Sequence, residues 1–115
     1  MTAATKELPY KAFKLTNGRF QDTSLQLYNG NATSTASCEV KGLVSFRWSM
    51  SNDEPLPVMR IKGQEIKLPP AANKFRSQYI FDEPYTGLVE IAMVYDPKNH
   101  WHDNVAQFQG FQILA

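Results

Sequence analysis

Apolar and polar residues alternate one by one along much of this chain, in short runs broken by turn residues. Cys38, Val40, Val44, Phe46 and Trp48 hold even positions, with Glu39, Lys41, Ser45 and Arg47 between them. In an extended strand those two sets lie on opposite faces, one buried and one wet. Gly42 interrupts the run where a bulge or the close approach of another backbone is expected. Val89, Ile91, Met93 and Tyr95 alternate with Glu90, Ala92 and Val94 in a second strand. The last run, Gln107 to Leu114, sets Phe111 and Ile113 on one face and Phe108 on the other.

The punctuation points the same way. Asn17-Gly18 predicts a hairpin, because the central residues of that turn need positive φ. Asn29-Gly30 and Lys62-Gly63 are further candidates, the second between Val58–Ile61 and Ile66–Leu68. Pro55, Pro57, Pro69, Pro70 and Pro84 break any helical reading of the middle of the chain. No stretch carries apolar residues at helical spacing for more than one or two turns. The expected fold is therefore all-β, a jelly-roll-like β-sandwich. Residues 9–115 form one domain and 1–8 a flexible tail.

Composition removes several classes of function. Twelve Lys and Arg stand against 11 Asp and Glu, a net charge of +1 with no basic stretch to track a phosphate backbone, so nucleic acid is not expected. No apolar run approaches the roughly 20 residues of a spanning helix, so no membrane insertion is expected. Residues Met1 to Leu8 lack the apolar core of a secretory signal, which reads as cytoplasmic and leaves non-classical export open. Cys38, the one cysteine, reads as a small buried hydrophobe rather than a reactive thiol. Asn31-Ala32-Thr33 fits a glycosylation sequon, which carries little weight without a signal peptide. No hydrolase elbow, phosphate loop or cysteine-based metal cluster is present, so no enzyme is expected. The Gly63–Glu65 turn reads as solvated.

Chemistry is concentrated in one segment, Tyr95-Asp96-Pro97-Lys98-Asn99-His100-Trp101-His102-Asp103-Asn104, at one end of the expected sandwich. It holds both histidines and one of the two tryptophans. Hard cations such as Ca²⁺ take six to eight oxygens, and Asp96, Asp103 and Asn104 supply several from one loop. Trp101 offers a flat surface on which a sugar ring can stack. Two other readings stay open. His100 and His102, at i and i+2, can chelate a transition metal together with Asp96 or Asp103. A polar turn capped by Asp and Asn, with Trp101 closing the core, needs no ligand.

From Val58 to Ile113 the sequence resembles the C-terminal half of the calcium-dependent galactose-binding bacterial lectins. Val58-Met59-Arg60-Ile61 and Gly87-Leu88-Val89-Glu90-Ile91 are similar in register, and an apolar strand ends in Tyr95-Asp96. In that family an Asp, a residue four further on and consecutive Asn residues seven and eight further on hold Ca²⁺. The resemblance thus implies Asp96, His100 through its backbone carbonyl, Asp103 and Asn104 as metal ligands. It implies a galactose-binding-domain-like jelly roll, with Asn52, Asp53 and Gln64 as candidates for reading the sugar beside Trp101. The Trp101-His102-Asp103-Asn104 string is also similar to starch-binding modules, whose Trp and Asn contact glucan without metal.

A carbohydrate-binding module or small lectin is the first functional expectation, with oligomerisation raising avidity. The alternative is a non-enzymatic structural or interaction protein, such as a phage or secretion-system component. In it Trp48, Tyr79, Phe81 and Tyr85 would include interface anchors, although such residues more often build the core. A cupin-type metal enzyme using the His-x-His pair is the third, and it lacks further histidine ligands.

Overall fold

The longest strands organise everything else. The structure, a computed structural model, describes residues 4–30, 32–51, 56–69, 77–99 and 104–115. Its strands are β1 (Thr5–Glu7), β2 (Lys14–Thr16), β3 (Arg19–Gln21), β4 (Ser24–Tyr28), β5 (Ser34–Met50), β6 (Val58–Ile61), β7 (Gln64–Lys67), β8 (Ser77–Met93) and β9 (Val105–Leu114), with 3₁₀ turns at Tyr10–Ala12 and Pro97–Asn99. The all-β expectation holds. One antiparallel sheet runs β3-β4-β9-β5-β8-β6-β7, with β1 paired to β9 and β2 to β5.

β5 and β8 pair along nearly their whole length, from Ser34 opposite Met93 to Trp48 opposite Ser77. Their other neighbours change halfway. The first part of β5 carries β2, at Thr35 to Ser37, and the second part carries β9, at Leu43 to Met50. Register shifts between Val40 and Ser45 mark the change, where Gly42 takes positive φ as its place in the strand predicts. Bulges of this kind bend a strand and raise its twist, and a β-sandwich-like arrangement results. The core between its layers includes Phe46, Trp48, Phe108, Phe111, Leu25, Leu27, Leu43 and Ile91, all fully buried.

Bulges also correct the expected faces. Leu43 lies in the core although its position is odd, and Val44 is left half-buried. In β9, Phe108 and Phe111 are both fully buried rather than on opposite faces. Gly110, at φ +67°, is the reason: Arg47 faces Gln109 and Ser45 faces Gln112, so β9 spends an extra residue there. A Cβ on Gly110 would also come within 2.8 Å of Arg47 Nε. Gly110→Ala is therefore expected to cost about 1–2 kcal/mol from backbone strain, measured by urea denaturation. An unchanged midpoint would show that the bulge does not need glycine.

Two further expectations change. β2 and β3 flank Asn17-Gly18 but do not pair, since β2 joins β5 and β3 joins β4. The hairpin is at Asp22-Thr23 instead, with Asp22 at φ 54°, while Gly18 lets the chain pass close to the Gln26 carbonyl. Asn29-Gly30 likewise leads from β4 into β5 without pairing them. Lys62-Gly63 does make its hairpin, both residues having positive φ between β6 and β7. Residues 5–7, expected in a tail, form β1 against Leu114 to Gln112. All three are exposed, so backbone bonding holds them and no apolar pattern announces them.

Trp48, Phe81 and Tyr85 are buried, and Tyr79 packs against the core with its ring 5.6 Å from Phe46 and 4.9 Å from Phe81. Trp48, Phe81 and Tyr85 are thus core residues, and Tyr79 lies half-buried at the edge of the cluster. Cys38 is half-buried against the same cluster, and desolvation, helped by the Glu39 charge, raises its thiol pKa. No helix among the described residues is long and apolar enough to cross a membrane.

Candidate functional site

The end of the molecule carrying the 96–104 segment is held by buried amides and hydroxyls. Asn29, buried in the β4–β5 connection, accepts from the Asn104 N–H at 2.9 Å and donates through Nδ2 to the Val94 carbonyl at 3.3 Å. One side chain thus ties the exit of β8 to the entry of β9. Asn104, also buried, accepts at Oδ1 from the Ser51 hydroxyl at 3.0 Å, and its Nδ2 points to Met50 Sδ at 3.5 Å. Ser51 Oγ in turn accepts from the Val105 N–H at 3.0 Å. Thr33 accepts from the Tyr95 N–H, and Ser34 donates to the Asn17 carbonyl. Buried polar groups that complete one another in this way rigidify a connection.

Against that frame the expected ligands separate. Asp96 is exposed, and its Oδ1 accepts from the Lys98 N–H at 2.9 Å, closing the Pro97–Asn99 turn. Its other carboxylate oxygen can still ligate. Asn104, by contrast, is buried with its amide engaged by Ser51 and Met50. His100, Trp101 and Asp103 lie outside the described residues, as do His102, Asn52 and Asp53. Gln64 is described and exposed, opposite Ile61 in the β6–β7 hairpin. The register carries that hairpin from Arg60 at Glu90 toward the start of β8, whereas Asp96 follows the end of β8. Gln64 is therefore not brought to the loop. Among the described residues, no group of three His, Cys, Asp or Glu is placed to hold a metal.

Next to the loop lies a feature that sequence reasoning missed. An open groove of about 340 Å³ is lined by Asn17, Gly18, Arg19, Gln26, Tyr28 and Val105. Val105 follows Asn104 directly and pairs with Tyr28, so the groove adjoins the end of the 96–104 segment. Arg19 donates from Nε to Gln26 Oε1 at 2.8 Å, which fixes both planar groups. Asn17 donates to the Thr33 carbonyl at 3.1 Å. The Tyr28 ring, 42% exposed, reaches over Gly30, where a Cβ would sit about 2.0 Å from its hydroxyl. The groove thus offers one aromatic face, two amides and a guanidinium around a concave opening of the size small ligands use. The legible hint was the alternation of Ser24, Gln26 and Tyr28 with Leu25 and Leu27, which sets the polar side chains on the face away from the core, although only Tyr28 among them is exposed.

Comparison with known families, curated proteins and solved structures finds no match to this chain.

Proposed function

We propose that this protein is a non-catalytic carbohydrate-binding module, with sugar docking in the groove beside the 96–104 segment. The groove itself is the observation that supports this best. Amides offer both a donor and an acceptor, as sugar hydroxyls require, and Tyr28 offers a flat, partly apolar surface for the C–H face of a ring. This reading draws on no calcium ligand, and the Asn104 Oδ1 already accepts from the Ser51 hydroxyl.

Calorimetry with a panel of neutral and acidic oligosaccharides tests the proposal, run in Ca²⁺ and again in EDTA. Binding is expected in both conditions. Tyr28→Ala is expected to lower affinity about tenfold, or about 1.4 kcal/mol. Gly30→Ala is expected to lower it too, by pushing the ring aside. No heat with any glycan would overturn the proposal. Binding lost only in EDTA would return the site to Ca²⁺ at Asp96, His100 and Asp103, as the lectin resemblance implies.

A second reading, a structural or interaction protein, draws on β8. Among the described residues its flank away from β5 is paired only at Glu90–Ala92, and Ile80 and Leu88 are 64% and 53% exposed. Such an edge is a template for another strand. Light scattering that shows a monomer at high concentration would count against self-association through it.

A further inference from the structure

Resting on the carbohydrate reading, we infer that the ligand is an acidic, uronate-bearing polysaccharide chain laid across β3, β4, β9 and β5. The groove is one end of a longer polar strip on the outer face of the sheet. Arg19 pairs with Gln26, Gln26 with Gln107, and Gln107 with Ser49, so one cross-strand row runs over four strands. A second row beside it runs Gln109, Arg47, Gln78 over β9, β5 and β8. Their neighbours in sequence, Leu25, Ala106, Phe108, Phe46 and Trp48, are fully buried on the core side; of the rows themselves Arg19, Arg47 and Gln78 are exposed and Gln107 and Gln109 half-buried, while Gln26 and Ser49 form the buried floor between them. At about 4.8 Å per strand the first row is roughly 14 Å long, and the second lies about 7 Å away. That is an extended track and not a pocket for one ring.

The chemistry of the strip is unusual beside the rest of the surface. On the strands that flank β8 elsewhere, Arg60 is tied to Glu65 at 3.2 Å and Glu90 at 2.6 Å, the ordinary way of neutralising an outward sheet face. In the two rows there are arginines and amides and no carboxylate. Glu7, paired with Gln112, stands beyond the Gly110 bulge. Arg47 lies across β9 above Gly110, the one residue type whose missing side chain leaves it room. Arg19 is braced by Gln26 at the opposite end of the strip. Two guanidinium forks are thus held on a platform of amides. Guanidinium meets carboxylate in a bidentate fashion, while amides serve the intervening hydroxyls. A nucleic acid fits less well, since beyond Tyr28 at the groove end the rows carry no aromatic side chain on which successive bases could stack.

The test uses calorimetry of the full chain with oligogalacturonates of increasing length and cello-oligosaccharides of matching length. Oligogalacturonate is expected to bind more tightly, with affinity rising with length before it levels off and falling as NaCl is raised. Arg47→Gln and Arg19→Gln are each expected to lower that affinity about tenfold, with Arg47→Lys intermediate and cello-oligosaccharide binding unchanged in Arg47→Gln, whose side chain lies outside the groove. Thermal melting of each variant checks the fold, and the two arginines stand on different strands, so failure of one to fold leaves the other. Equal affinity for neutral and acidic chains would overturn this inference and leave the carbohydrate reading intact. Binding of neither would overturn this inference, and the carbohydrate reading falls with it when no other glycan of the panel binds. Tighter binding of polyuridylate than of oligogalacturonate would replace the polysaccharide with a nucleic acid and overturn it as well.

Discussion

Phe46→Ala is expected to lower the free energy of unfolding by about 3–5 kcal/mol and the melting temperature by roughly 15 °C. Phe46 is fully buried, and five other rings surround it, with centroids at 5.4 Å (Phe111), 5.6 Å (Tyr79), 5.9 Å (Trp48), 6.1 Å (Phe108) and 6.4 Å (Phe81). Those rings come from β5, β8 and β9, the strands on which the sandwich is built. Truncation removes transferred apolar surface and also leaves a void that tilted and edge-on rings cannot close without losing their own contacts. Phe46→Leu keeps most of the volume, so it is expected to cost distinctly less. Urea denaturation of both variants reads the difference, and a loss below about 1 kcal/mol for alanine would show that the cluster repacks freely.

Asn29→Ala is expected to cost about 1–3 kcal/mol, because a buried group left unsatisfied costs about that much. The substitution would remove the partner of the buried Asn104 N–H and a second bond to the carbonyl of the exposed Val94. It acts on the two ends of the 94–105 connection and not on the apolar core. Its local signature is faster hydrogen exchange at the Asn104 amide, with the amides of central β5 following only the global loss. Asn29→Asp separates the two bonds. The new carboxylate would still accept from Asn104 but would face the Val94 carbonyl with a negative charge. Burial would raise its pKa, so this variant should recover stability as pH falls through the folded pKa, when the protonated carboxyl can donate to Val94. Equal stability of wild type and Asn29→Ala in urea would remove the amide from its bracing role.

The strand class was legible because period-two alternation survives wherever a strand is regular. Val89 to Met93 and the Lys62-Gly63 hairpin follow from local residues alone. What misled was parity across irregularities: Gly42 and Gly110 each shift the count, so Leu43 and Phe108 lie inward against a simple odd–even reading. Partner choice was not legible either. Asn17-Gly18 has the composition of a hairpin turn, yet β2 is drawn to β5, and Gly18 serves a close approach to β4. The site divides in the same way. A local cluster such as Asp96 to Asn104 stands out because its residues are neighbours in sequence. Arg19, Gln26, Gln107 and Ser49 stand far apart along the chain, and only the register of four strands lines them up.

The placement of β5 between β8 and β9 also sets the order in which the molecule can assemble. Among the described residues only the β3–β4 and β6–β7 pairs are hairpins between successive strands; the pairs that build the sheet centre join segments distant in sequence. Such contacts require long loops to close before they return any stabilisation, which slows folding toward the millisecond-to-second range. Until β9 arrives, the flank of β5 that carries Trp48 and Phe46 is an unpaired apolar edge, and an aggregation hazard. A chain cut before Val105 is therefore expected to collect in the insoluble fraction, while the intact chain refolds in a single slow phase. The last strand in sequence acts as the latch of the structure.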